Sequence, residues 1–165
     1  MIMSFFSGDC IDISNVLVKI IKPSTAGTTA EIITKYGPIQ NWDLSEVTNI
    51  NYAFYYKTTF VGDLSKWDVS NIKDMQGTFE SATKFTCDLS KWDTSSCINM
   101  AQTFYKATKF NSDLSKWRTK STLNMAKTFS LASNFNSDLS NWNVARVTTL
   151  YATFNNAVKF DGNVG

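Results

Sequence analysis

The chain has 165 residues, a formal net charge of +2 and no histidine. This length fits one domain, and so small a charge gives no strong electrostatic attraction to nucleic acid or to an anionic membrane. The lack of histidine removes the commonest general base and metal ligand, and the three cysteines form neither a disulfide framework nor a paired metal motif.

The N-terminal segment, residues 1–36, does not share the periodicity of the rest of the chain and is predicted to form a helical cap. The stretch 11–22 is rich in Ile, Val and Leu, and Pro23 would end a helix there. A second helix is predicted over 28–37, where Gly37 provides a C-terminal stop. Repeat proteins need such a cap because their first coil otherwise exposes its core.

From residue 37 onward the sequence repeats every 25 residues. A fixed period in this range is typical of a leucine-rich-repeat-like solenoid with one coil per period. The predicted division is therefore a cap over 1–36 and about five coils over 37–165, within a single domain. The columns that keep the interval are Trp42, Trp67, Trp92, Trp117 and Trp142, then Phe60, Phe85, Phe110, Phe135 and Phe160, and then Phe54, Phe79, Phe104, Phe129 and Phe154.

Each coil is predicted to contain a short strand followed by about two turns of α-helix or 3₁₀ helix. In the second copy, Trp67 and Val69 alternate with polar residues, as in a strand. Met75, Phe79 and Ala82 have the spacing i, i+4, i+7 of a helix face. The predicted fold class is therefore an α/β repeat, a leucine-rich-repeat-like solenoid with an N-terminal helical cap, in which equivalent apolar residues stack into ladders.

Two polar columns accompany these ladders. The aspartates stand beside a predicted turn, where a carboxylate can cap backbone N–H groups, and a calcium-binding ladder is the alternative. The threonines fall in the predicted helical segment, where the hydroxyl would bond the carbonyl four residues earlier. The columns are Asp63, Asp88, Asp113 and Asp138, and Thr78, Thr103, Thr128 and Thr153.

The composite motif Phe-x-x-Asp-Leu-Ser-x-Trp-Asp-Val-Ser-x-Val/Ile-x-x-Met-x-x-x-Phe-x-x-Ala is clearest in 62–84 and 85–109, after a lead-in over 35–50. It resembles the BspA-like leucine-rich-repeat surface-protein family over roughly residues 28–165. The resemblance implies a non-enzymatic protein, often exposed at the cell surface, that acts in adhesion or protein–protein interaction. It implies no catalytic residues.

The outward-facing positions of the predicted strands contain a candidate binding site. Lysines and aspartates form neighbouring columns there, and their charges compensate each other in most coils. In the fourth coil Arg118 replaces an aspartate and Lys120 replaces a serine, next to Lys116. Stacking does not require this departure, so these cations are predicted to bind an acidic partner, an anionic glycan or a carboxylate-rich surface. Lys91 and Lys66 extend the lysine column.

Two further contact surfaces are predicted. Tyr55 and Tyr56, with Tyr52, enrich the first coil in aromatic side chains, which either pack against the N-terminal cap or form a contact patch for a partner. Phe160 and Val164 begin a sixth coil that the sequence does not complete, so this face is predicted to be covered by a partner or by another copy. The expected partners are therefore proteins, in a homo-oligomer or a larger complex. No apolar stretch approaches the ~20 residues of a membrane span.

The sequence as a whole favours a non-enzymatic protein-interaction module, either a scaffold subunit of an assembly or an adhesin-like surface protein. A carbohydrate-binding surface module is the alternative, and it would need exposed tryptophans. An enzyme is not expected, because carboxylate pairs such as Asp63 with Asp68 recur along the repeat whereas a catalytic site is unique. No metal site or cofactor is expected.

Overall fold

The computed structural model describes residues 37–164, and the predicted cap over 1–36 lies outside them. The only helix in this range is a single 3₁₀ turn, Ile39–Asn41. No helix of the described residues is long and apolar enough to cross a membrane. The described chain winds into a stack of coils: coil 1 is 37–61, coil 2 is 62–86, coil 3 is 87–111, coil 4 is 112–136 and coil 5 is 137–161.

The predicted α/β fold class is wrong, because neither a strand nor a helix recurs in the described coils. In place of strands, each coil contributes one residue to a series of isolated parallel bridges. In place of helices, each coil has a run of tight turns. The bridged residues are Asn49, Asp74, Asn99, Asn124 and Thr149.

Two turns occupy the segment predicted as a strand. In coil 2 the Trp67 N–H donates to the Leu64 carbonyl at 3.1 Å, and the Ile72 N–H donates to the Val69 carbonyl at 2.9 Å. Backbone groups that close turns inside a coil are not available for the ladder of a sheet. Trp67 and Val69 are 3% and 1% exposed, so both side chains face inward. Their alternation with polar residues therefore arises from successive turns and not from a strand.

The segment predicted as a helix alternates between two kinds of backbone hydrogen bond. The Thr78 N–H closes a turn on the Met75 carbonyl at 3.1 Å, whereas the Phe79 N–H donates to the Thr103 carbonyl of coil 3 at 2.8 Å. In a helix every N–H would instead bond within the segment. The alternation depends on left-handed residues, with φ of 54–61°, at two positions per coil: Tyr52, Gly77, Gln102, Lys127 and Ala152, and Tyr56, Ser81, Lys106, Leu131 and Asn156.

Aromatic ladders fill the interior of the stack. From coil 2 to coil 5, successive indole rings lie 6.2–6.4 Å apart with their planes within 5°. In each of these four coils, two phenylalanine rings of the same coil also stack on each other, with ring centroids 3.9–4.2 Å apart. The Trp92 Nε1–H donates to the Leu64 carbonyl, 28 residues earlier, at 3.0 Å, so the buried polar edge of the ring is satisfied. Trp117 and Trp142 repeat this bond.

The threonine column joins neighbouring coils. The Thr103 hydroxyl lies 2.7 Å from the Met100 carbonyl oxygen and 3.1 Å from that of Met75 in the preceding coil. The predicted bond to the carbonyl four residues earlier is therefore wrong, because a turn brings the carbonyl three residues earlier within reach. Thr78, Thr128 and Thr153 make the equivalent contacts.

The capping role predicted for the aspartate column is confirmed. Each carboxylate accepts the N–H of the residue two positions later at 2.9 Å, for Asp63, Asp88, Asp113 and Asp138. Hydrogen bonds from the backbone and the hydroxyl of Ser115 lower the pKa of Asp113, and Ser65 and Ser90 lower the pKa of Asp63 and Asp88 in the same way. These caps open the turns that precede Trp67, Trp92, Trp117 and Trp142.

Replacement of Phe104 by alanine should lower the free energy of unfolding by about 3–5 kcal/mol, because the cavity lies in the middle of the stack. Phe104 is fully buried. Its ring centroid lies 3.9 Å from that of Phe110 and 5.5–5.7 Å from those of Phe79 and Phe129. Urea unfolding measures the loss. Lys84→Ala, at an exposed position, serves as the control and should change stability by less than about 0.5 kcal/mol. A loss under about 1 kcal/mol for Phe104→Ala would contradict this packing.

The stability of the fold should depend on pH through the aspartate caps. Since the folded-state pKa of Asp113 is lowered, its contribution is present above the unfolded value of about 3.9 and is lost as the pH falls through the folded value. In Asp113→Asn the amide oxygen can still cap, but it does not titrate. The free energy of unfolding should therefore differ less between wild type and Asp113→Asn at pH 2.5 than at pH 7. Urea unfolding at each pH measures this difference. A difference that stays constant over this range contradicts the proposed role of the charge.

Candidate functional site

A shallow, open depression with a volume of about 600 Å³ lies on the outer surface where coil 4 meets coil 5. Lys116, Arg118 and Lys120 line it from coil 4, and Asn141 and Asn143 line it from coil 5. All five side chains are exposed. The structure thus places the three cations singled out in the sequence in one concavity, which we call the basic groove.

The outward direction of these cations follows from their neighbours. Trp117 and Thr119 are 2% and 1% exposed, and both contribute to the interior and the contacts between coils. The Thr119 hydroxyl donates to the Asn143 carbonyl of coil 5 at 3.1 Å. Because these two residues face inward, Lys116, Arg118 and Lys120 on either side of them face solvent.

Two of the three cations, Lys116 and Arg118, have a carboxylate nearby. The pKa of Asp113 is lowered first by its hydrogen bonds from Ser115 and further by Lys116. The pKa of Asp93 is lowered first by its hydrogen bonds from Ser95 and further by Arg118. The excess positive charge of the basic groove is therefore smaller than the sequence suggests.

Lys66 and Lys91 do not line the basic groove. They are exposed at the equivalent positions of coils 2 and 3. Each adds a favourable charge interaction to an aspartate of its own coil, Asp63 and Asp88, whose pKa is lowered mainly by hydrogen bonds from serine. The predicted compensation is with the outward-facing aspartates Asp68 and Asp93, whereas the lysines of these coils act on Asp63 and Asp88 of the capping column.

Arg118 interrupts a second column of side-chain caps. In the other coils the equivalent oxygen accepts the N–H two residues later, at 2.9–3.0 Å. Arginine has no acceptor, and the Lys120 N–H has no hydrogen-bond acceptor among residues 37–164. The Thr122 N–H still donates to the Thr119 carbonyl at 3.0 Å, so the turn itself persists. The prediction from sequence rests on the change of charge alone, although the lack of a side-chain acceptor at residue 118 also signals the lost cap.

The four residues predicted as interfaces lie on two separate surfaces. Tyr55 and Tyr56, in coil 1, are 44% and 58% exposed. At the other end of the stack, Phe160 is half-buried and stacks on Phe154 at 4.2 Å, whereas Val164 is 53% exposed. The structure therefore does not unite them in one site.

A cluster of charged and aromatic side chains on the turn side of the stack was not predicted from the sequence. The Lys106 Nζ lies 5.0 Å from the Tyr105 ring centre, and the Lys127 Nζ lies 5.9 and 5.8 Å from the Tyr105 and Tyr151 ring centres. Burial raises the pKa of Glu80, and both lysines oppose that rise. Helical spacing could not identify the cluster, because Lys106 and Lys127 occupy left-handed turn positions.

The two cysteines in the described range have structural roles. Burial raises the pKa of Cys97 to about 12, and it also raises the pKa of Cys87. The Leu64 N–H donates to the Cys87 Sγ at 3.1 Å, as the Leu89 N–H donates to the Ser112 Oγ at 2.8 Å in the next coil. Both thiols are therefore protonated at neutral pH. No group of three or more metal-binding side chains occurs in residues 37–164.

Comparison with known proteins identifies a family for the repeats. A family model described as a Mycoplasma protein of unknown function, DUF285, matches residues 27–125 and again residues 88–165. The two matches overlap, and together they cover all five coils. Neither the curated proteins nor the solved structures contain a significant match. The chain therefore belongs to the DUF285 family.

Proposed function

We propose that this chain is a non-enzymatic protein-interaction module that binds an acidic partner protein through the basic groove. The observation that carries the proposal is the position of the cations. Lys116, Arg118 and Lys120 line one concavity at the place where the repeat is broken. A surface of this kind favours partners of negative charge and accelerates their association.

Folding of coil 4 does not require the replacements at residues 118 and 120. The inward residues Trp117 and Thr119 keep their places in the ladders, and the turns that precede and follow them are intact. The changed side chains are exposed, so they contribute to the surface and not to the core. Replacement of a capping aspartate by Arg118 even removes a hydrogen bond from the turn. A gain in binding is the simplest benefit that offsets this loss.

We further propose that the family relationship extends to the BspA-like surface proteins. The composite motif from Phe to Ala in 62–84 and 85–109 supports it. In that case the module would serve as an adhesin-like surface protein or as a scaffold subunit. Both roles need a repetitive body that presents one distinctive surface.

The carbohydrate-binding alternative has less support. Sugar recognition through tryptophan needs an exposed ring face, and Trp67, Trp92, Trp117 and Trp142 are only 2–8% exposed. Their faces contact the indole rings of neighbouring coils. No specific observation on the basic groove favours a neutral sugar.

Charge reversal at Arg118 and Lys120 should strongly weaken binding to an acidic partner. We expect an octaglutamate peptide to bind the wild type in calorimetry, with an affinity that falls between 50 and 300 mM NaCl because salt screens the charges. Arg118→Glu with Lys120→Glu should weaken this affinity by about tenfold or more.

The matched control is Lys84→Glu with Lys109→Glu, which makes the same change of net charge at exposed positions outside the basic groove. It should lower the affinity by no more than about twofold, since only long-range attraction is lost. Equal weakening in both double variants, or no weakening in either, would refute the basic groove as the binding site.

A further inference from the structure

The capping column that Arg118 interrupts has a constant geometry in the other coils. A side-chain oxygen accepts the N–H of the residue two positions later at the start of a turn. The carbonyl between them then accepts the N–H that closes the turn, as Val69 accepts from Ile72 at 2.9 Å. The capped pairs are Asp43 with Ser45 at 2.9 Å, and Asp68 with Ser70, Asp93 with Ser95 and Asn143 with Ala145 at 3.0 Å.

Coil 4 keeps the turn and lacks only the capping oxygen. The closing bond from the Thr122 N–H to the Thr119 carbonyl is 3.0 Å long, like those of the other coils. The Arg118 N–H donates to the Thr94 Oγ1 at 3.0 Å, which holds the backbone of residue 118 against coil 3. The Lys120 N–H is thus held in the orientation that its equivalents use to bind a carboxylate, and no group of residues 37–164 accepts it.

The side chains around this N–H favour the same ligand. Arg118 presents a planar fork of donors, which matches the two oxygens of a carboxylate. Lys116 and Lys120 supply positive charge in the same groove, and Asn143 of coil 5 also lines it. A carboxylate is favoured over phosphate or sulfate because three other coils place an aspartate oxygen on the equivalent N–H.

We propose that a carboxylate of the partner protein takes, in coil 4, the position that the capping aspartate oxygen takes in coils 1 to 3. It accepts the Lys120 N–H and pairs with the Arg118 guanidinium. This inference rests on the proposed function of the basic groove and names its recognition element. The partner is an acidic protein segment whose Asp or Glu side chain completes the turn.

Two neutral substitutions at residue 118 separate this site from simple charge attraction. Arg118→Asn and Arg118→Gln remove the same charge. Only asparagine can cap the Lys120 N–H, as Asn143 caps Ala145 in coil 5. Asn should therefore compete with the partner carboxylate, whereas Gln should leave the N–H available. Both variants should fold. Asparagine restores the side-chain cap that the other coils have, and glutamine stands at an exposed position that already lacks this cap.

The affinity for the octaglutamate peptide and the ¹H shift of the Lys120 backbone amide are measured in the wild type and in both variants. We expect Arg118→Asn to bind about tenfold more weakly than Arg118→Gln, the size expected of a charge-assisted hydrogen bond. The peptide should move the Lys120 amide downfield in the wild type and in Arg118→Gln, but not in Arg118→Asn.

Three other results would each overturn part of the proposal. Equal affinities for the two variants, with an unmoved Lys120 amide, would overturn the carboxylate site and leave a basic groove that binds by charge alone. If peptide binding also survives the double charge reversal, the proposed function fails as well. If inorganic sulfate or a sulfated disaccharide moves the Lys120 amide at lower concentration than the peptide does, the ligand is an oxyanion or an anionic glycan and the proposed protein carboxylate is wrong.

Discussion

The whole stack depends on how its backbone N–H groups are shared between hydrogen bonds within a coil and hydrogen bonds to the following coil. Along each run of turns, one N–H closes a turn in its own coil and the next donates to the following coil, as Thr78 and Phe79 do. The runs of turns require left-handed backbone at two positions per coil, and Gly77 is the only glycine among the ten described residues at these positions. The others accept a local cost of about 1–2 kcal/mol each, which hydrogen bonds and burial in the assembled stack offset.

The aromatic ladders follow from the same hydrogen bonds. Because the bonds between coils join equivalent segments in constant register, equivalent side chains come to lie above one another. Flat rings such as Trp92 and Trp117 can then stack face to face with planes 5° apart. The stacked aromatic columns therefore keep the same residue type in successive coils, whereas the outer positions are under no such requirement. Coil 4 makes use of that freedom at Arg118 and Lys120.

The basic groove illustrates how a repeat acquires a specific surface without altering its core. Its charge arises from substitutions at outward positions, and its shape arises from the junction with coil 5, which contributes Asn141 and Asn143. The neighbouring Asp93 and Asp113 reduce the excess positive charge of this surface. The Lys120 N–H, which no group of the described residues accepts, adds a directional donor to this surface.

The sequence by itself determined the 25-residue period, the inward ladders of tryptophan and phenylalanine, the capping role of Asp63 and its equivalents, and the unusual character of coil 4. Only the tertiary structure decided that turns replace strands and helices, that Arg118 lies near Asp93, and that coil 5 completes the basic groove. The physical reason is that side-chain periodicity reports which residues face the core. It does not report whether a backbone N–H bonds within its own coil or to the next, because that choice depends on contacts that exist only when the coils are stacked.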